Sequence, residues 1–187
     1  RSLKPKETQA SDLDLLLRAS EKANHTAPRY AFYIAQQYKD MGDLIQASAW
    51  YNTRIRLGGW EQERWMSYYM VARIHEWLGG NPVTMYMDVY ERDPTRAEPL
   101  YHAADWCRRN DMRNQALMLA THAGMHDPPE GALFLEADVY EWRCLDIIAS
   151  VAWWTPLKRL GEEASELLVK RAYPESDRVR IETNRKF

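Results

Sequence analysis

Residues able to do chemistry are few and scattered along the 187-residue chain. His122 and His126 stand four apart, a spacing that puts two imidazoles on one face of a helix, where they could share a metal ion. Gly124 and the Asp127-Pro128 break end that helix early, and no third ligand is near in sequence. Two histidines at a helix C-terminus, where positive charge meets the last carbonyls, is the better reading, and no metal is expected. Cys107 and Cys144 are the only cysteines and sit in neither a CxxC nor a Cys/His spacing. They read as free thiols of a reducing compartment, hence a cytoplasmic protein, and no cofactor is expected. Two carboxylate pairs come nearest to catalysis, Glu98 with Asp105 and Asp138 with Asp146, and would need a glycosidase-like separation. GxGxxG, P-loop and GxSxG motifs are absent. Gly58-Gly59-Trp60 reads first as a helix C-cap, with Trp60 and Trp65 packing between structural units. Trp153-Trp154 lacks the basic amphipathic face of a membrane-interface pair and is expected in the core.

The elements that hold these residues announce themselves by periodicity. Hydrophobic residues make up 45% and charged residues 28%, an ordinary globular balance. A net charge of -2 gives no global attraction to nucleic acid or an anionic membrane. No apolar run reaches the ~18 residues of a membrane span. The aromatic set is 8 Trp and 11 Tyr against 3 Phe, so most rings carry a polar handle suited to half-wet surfaces.

Residues 1–10 are polar, contain Pro5 and show no period, which predicts a disordered lead-in. Ser11-Asp12 reads as the cap of a leading helix within 11–27, and Pro28 is placed to open the next. From there a repeat takes over to residue 174. Ala35, Ala72, Ala104 and Ala149 sit mid-helix among large apolar residues at separations of 37, 32 and 45, near the ~34-residue period of helix–turn–helix repeats. Turns follow at Gly42, Gly79, Asn110-Asp111 and Thr155-Pro156. Second helices are predicted over Asp43–Leu57, Pro82–Arg92, Met112–Gly124 and Leu157–Ala172. A link around Pro128–Glu136 precedes the looser fourth unit, and residues 175–187 read as a C-terminal cap or tail. No segment alternates as a strand does.

The punctuation resembles that of tetratricopeptide repeats. More narrowly, PRYAFYIAQQYKDMGD (Pro28–Asp43), YNTRIRLGGWEQERW (Tyr51–Trp65), PTRAEPLY (Pro94–Tyr101) and DVYEWRCLD (Asp138–Asp146) are similar to segments found C-terminal to the catalytic domain of bacterial and viral glycosyltransferases. The resemblance covers residues 12–187. Pro82 and the Thr155-Pro156 turn depart from the pattern. It implies a right-handed all-α solenoid of about four such units. The catalytic half of those enzymes grips a metal-bound nucleotide sugar with a DxD motif after a strand. Asp12-Leu13-Asp14 matches the letters but opens a predicted helix, where acidic residues cap and favour the dipole.

If the units stack as in that family, the first helix of each lines a concave face. Aligning the four alanines puts Arg29, Gln36, Tyr69, Arg73, Glu98, Tyr101, Asp105, Arg108, Arg143 and Asp146 on it. Such a mixed polar and aromatic groove suits a peptide or a sugar-bearing chain. The expected function is a non-catalytic interaction or scaffold module associated with a glycosyltransferase. It would bind a protein or peptide partner, the catalytic domain or a glycan acceptor, but no nucleic acid or membrane. The alternatives are a free-standing peptide adaptor and a carbohydrate-active enzyme in its own right.

Overall fold

A computed structural model describes residues 6–23 and 27–184. The chain divides into two compact units, Arg1–Asn81 and Pro82–Phe187. The first holds α1 (Lys6–Lys22), α2 (Pro28–Met41), α3 (Leu44–Leu57) and α4 (Glu61–Trp77). The second holds α5 (Val83–Arg92), α6 (Glu98–Arg109), α7 (Arg113–Ala123), α8 (Cys144–Val151), α9 (Lys158–Leu168) and α10 (Glu175–Asn184). No strand occurs among the described residues, and the all-α repeat class expected from the periodicity is the one found.

In the first unit, α1 packs on α2, α2 on α3 and α3 on α4. Pro28 opens α2 at its first position, where a missing N–H costs nothing. Gly42 closes it in the left-handed conformation at φ 84°, which residues with a Cβ enter only at a cost. Asp43 then accepts the Gln46 amide at 3.1 Å and caps α3, so one Gly-Asp pair both stops and starts a helix. Ala35 and Ala47 are fully buried where the helices cross, and Phe32 meets Tyr51 edge to face at 6.2 Å between centroids. Ser11 and Asp12, expected as caps, lie inside α1, because that helix already begins at Lys6. The lead-in expected over residues 1–10 therefore falls partly in a helix, and residues 1–5 lie outside those described.

Within the second unit, α5 packs on α6, α6 on α7, α7 on α8 and α8 on α9. The third turn uses Asp111 rather than glycine in the left-handed region, at φ 58°. The fourth is built differently: Thr155 Oγ1 donates to the Ala152 carbonyl and accepts the Leu157 amide, at 2.8 and 3.1 Å. The expected helix over Leu157–Ala172 is shorter, ending at Leu168. A π-helical turn, Val139–Arg143, leads into α8, and a 3-10 turn, Ala152–Trp154, leaves it. α10 lays Ile181 into a cluster with Trp142 and Leu168, a burial that stabilises by about 2 kcal/mol. Residues 185–187 of the expected tail lie outside those described.

Candidate functional site

The expected polar face resolves into pieces with different fates. In the first unit, Arg29 is exposed, donates to the Tyr33 hydroxyl at 3.4 Å and lies 4.0 Å from Glu63. The Tyr33 hydrogen bond raises its already high pKa. Gln36 accepts from Lys39 Nζ at 2.8 Å and borders a shallow groove of about 470 Å³ with Leu15, Tyr33 and Asp40. Arg73 lies over the Trp77 ring at 5.3 Å. Tyr69 does not reach the surface. It is 2% exposed and stacks on Trp65 at 5.3 Å, so it is core rather than groove lining.

Glu98, expected on the face of the second unit, is instead fully buried at the centre of a polar network. Arg96 donates to both its oxygens, at 2.6 and 3.2 Å, and also to the carbonyls of Leu133 and Phe134. The Tyr140 hydroxyl donates to Glu98 at 2.7 Å and accepts the Ala97 amide at 3.1 Å. Its own ionisation is suppressed, first by burial and then by the Glu98 bond. His102 Nε2 meets Glu136 Oε2 at 2.9 Å. Together these bonds pin the irregular link before α8 to the start of α6, and Phe134 is held there at φ 59°.

The remaining face residues are bound to each other or to arginines. Tyr101 lies under Arg143 at 5.7 Å, and burial pushes its phenol up to about 12. Arg143 also pairs with Asp138 at 2.9 Å. Asp105 accepts from Arg108 at 2.7 Å and from Arg109 at 3.0 Å. Burial alone would raise its pKa, but the arginine bonds and charges win and hold it below the usual range. Asp146 is taken by Arg180 of α10 at 2.7 Å. Each carboxylate of the two candidate catalytic pairs is thus committed to an arginine. The Asp12-Leu13-Asp14 triplet lies in α1, with Asp14 paired to Arg18 at 2.9 Å and Leu13 buried.

Two tryptophan expectations are corrected. Trp60 is half exposed, and only Trp65 is core. Trp153 and Trp154 are surface rings, lying under Lys158 at 4.7 Å and Arg113 at 4.8 Å. A cation on an indole face compensates for partial exposure, so apolar character did not require burial. Cys107 and Cys144 are free and buried, and burial drives the Cys144 thiol up to about 12. Among the described residues no three His, Cys, Asp or Glu converge as a metal site, and no helix is long and apolar enough to cross a membrane.

An open apolar surface lies elsewhere in the second unit. A groove of about 520 Å³ runs between α7 and the start of α9, its lining including Leu117, Leu157 and Leu160. Met118 and Met125, 64% and 74% exposed, form one wall. None of the ten residues lining it is Asp, Glu, Lys or Arg. Flexible methionines on an open surface mould to varied apolar side chains. Sequence reasoning missed this groove, because the sequence shows that Met118 and Met125 are apolar but not that no neighbour covers them.

No protein-family model and no curated protein sequence matches the chain. Similar solved structures include YrrB, described as a TPR protein with an unusual peptide-binding site, with TM-score 0.65, 12% identity, and coverage of 97% of this chain and 85% of that one. A MamA double mutant (RS-1 ArsTM) has TM-score 0.65 and 10% identity over 88% of this chain and 85% of its own. MamA 41-end from Desulfovibrio magneticus RS-1 has TM-score 0.61 and 12% identity over 87% and 82%. At such identities the likeness speaks to architecture, and the architecture is that of tetratricopeptide repeats.

Proposed function

We propose that the chain is a non-catalytic interaction module whose second unit takes an apolar segment of a partner protein into the groove between α7 and α9. The observation that carries this reading is the pair of exposed methionines on a largely apolar trough whose lining holds no Asp, Glu, Lys or Arg. Solvated apolar surface of this kind gains free energy when a partner covers it, and the absence of charge selects an aliphatic or aromatic segment over an acidic or basic one. The peptide-binding description of YrrB supports a peptide as occupant. The four resembling segments support placing the module beside a glycosyltransferase catalytic domain, and the two buried free thiols support a cytoplasmic setting.

Peptides selected from a random display library against the whole chain provide the test, with affinity read by fluorescence anisotropy. Substitution of Met118→Glu with Leu157→Glu should weaken binding at least about tenfold, equivalent to ~1.4 kcal/mol, while helicity stays unchanged. Equal affinity in that variant overturns the groove assignment. Charge reversal at Arg73 and Arg108 tests the polar face in the same assay. Loss of binding there, with the groove variant intact, would move the site to that face. For the transferase link, the reading frame upstream of Arg1 should encode an α/β domain with DxD after a strand. A start codon directly ahead of Arg1 would contradict a covalent connection.

A further inference from the structure

His122 and His126, dismissed as a metal pair for want of a third ligand, acquire one from a distant helix. Tyr90, on α5, places its hydroxyl oxygen 3.2 Å from His122 Nε2 and 3.1 Å from His126 Nε2. The rings crowd together, with centroids of the two histidines 5.4 Å apart and each T-shaped to the tyrosine. His126 Nδ1 lies 3.0 Å from the His122 carbonyl oxygen, and the tautomer that donates this bond leaves Nε2 an acceptor turned toward the Tyr90 hydroxyl, with the Pro94 carbonyl oxygen 3.1 Å away. Two imidazole nitrogens and a phenol oxygen, atom types that hold transition metals, thus converge.

We infer that His122, His126 and Tyr90 form a binding site for a divalent transition-metal ion of the zinc class. Ligand atoms around a tetrahedral zinc at bonds of about 2.0 Å stand about 3.3 Å apart, close to the 3.2 and 3.1 Å that separate the Tyr90 oxygen from the two histidine nitrogens. The Nδ1–H bond to the His122 carbonyl is the outer-shell contact that orients a ligating imidazole and leaves Nε2 free. Imidazole with phenolate suits Zn²⁺, Cu²⁺ or Ni²⁺ and not Mg²⁺ or Ca²⁺. As the ion binds, the Tyr90 phenol gives its proton to solvent, so uptake releases protons and weakens at low pH. The Pro94 carbonyl or water completes the shell. The ion would tie α5 to the C-terminal end of α7; His122 also borders the apolar groove, but the inference does not rest on groove binding.

Titration of the tag-free chain with ZnCl₂, followed by calorimetry and thermal unfolding, tests this. The expected result is one ion per chain and a rise in the unfolding midpoint. His122→Ala and His126→Gln should each weaken binding by at least about tenfold, and Tyr90→Phe by several-fold, with helicity retained. Cu²⁺ bound in place of zinc should show coupling to two nitrogens by electron paramagnetic resonance. A midpoint indifferent to zinc overturns the proposal and leaves the three side chains a hydrogen-bonded packing cluster. Affinity unchanged in the His122→Ala/His126→Gln double variant, or in Tyr90→Phe, overturns it equally.

Discussion

Replacing Arg54 by Met should destabilise the first unit more than any surface change, through a mechanism a double variant can isolate. The Arg54 guanidinium is fully buried in the last turn of α3. It donates to Glu63 Oε2 at 3.3 Å, to the Trp60 carbonyl at 2.8 Å and to the Gly58 carbonyl. One side chain therefore satisfies a buried carboxylate and two carbonyls of the Gly58-Gly59-Trp60 turn. Arg54→Met keeps the bulk but strands Glu63, whose other cation, Arg29, is 4.0 Å away and mostly solvated. Leaving one buried charge unpaired costs about 3–5 kcal/mol. At roughly 2–4 °C per kcal/mol for a chain of this size, the midpoint should fall by about 6–20 °C. Arg54→Met/Glu63→Met removes both charges and should recover most of the loss. A residue of about 1–3 kcal/mol remains for the orphaned carbonyls. Urea unfolding followed by circular dichroism gives the four corners of the cycle. An Arg54→Met variant within about 0.5 kcal/mol of wild type, the scatter of ordinary surface changes, would refute the reasoning. So would additive losses in the double variant.

Three further outcomes are expected. The Tyr51 hydroxyl is buried and without a hydrogen-bond partner among the described residues, so Tyr51→Phe should be neutral or stabilising by up to about 1–3 kcal/mol in the same urea assay. Tyr140→Phe leaves Glu98 and the Ala97 amide each short of a partner; it should cost about 1–3 kcal/mol and speed limited proteolysis within residues 125–138. Cys144 ionises near 12 in the folded state, whereas the unfolded thiol loses its proton from about pH 8.5. Over that window the unfolded state binds fewer protons, so stability falls as pH rises, by up to about 1.4 kcal/mol per unit, and Cys144→Ala should flatten the decline.

The helices were legible because their signals are local. Pro28, Gly42 and Asp43 each fix a boundary through their own backbone chemistry, and Ala35 and Ala104 mark crossings by size alone. What stayed hidden depends on partners distant in sequence. Arg54 looks like one of two arginines in a helix end, and only the folded turn brings Glu63 to it. Glu98 sits at the aligned position of a face residue, but Arg96 and Tyr140 draw it inward. The Tyr90 hydroxyl lies 32 and 36 residues from the histidines it meets, beyond any spacing rule. The groove is invisible for the opposite reason: periodicity shows that Met118 is apolar, not that no neighbour covers it.

Under the proposed function, a partner binds at the apolar groove of the second unit. Methyl-labelled methionine gives up to eight separately observable probes along the chain. On titration with a display-selected peptide, the Met118 and Met125 methyl resonances should shift and saturate together with the binding curve. Met66 and Met70, on α4, should stay put. Binding that leaves Met118 and Met125 unmoved while other methyls shift would contradict the account.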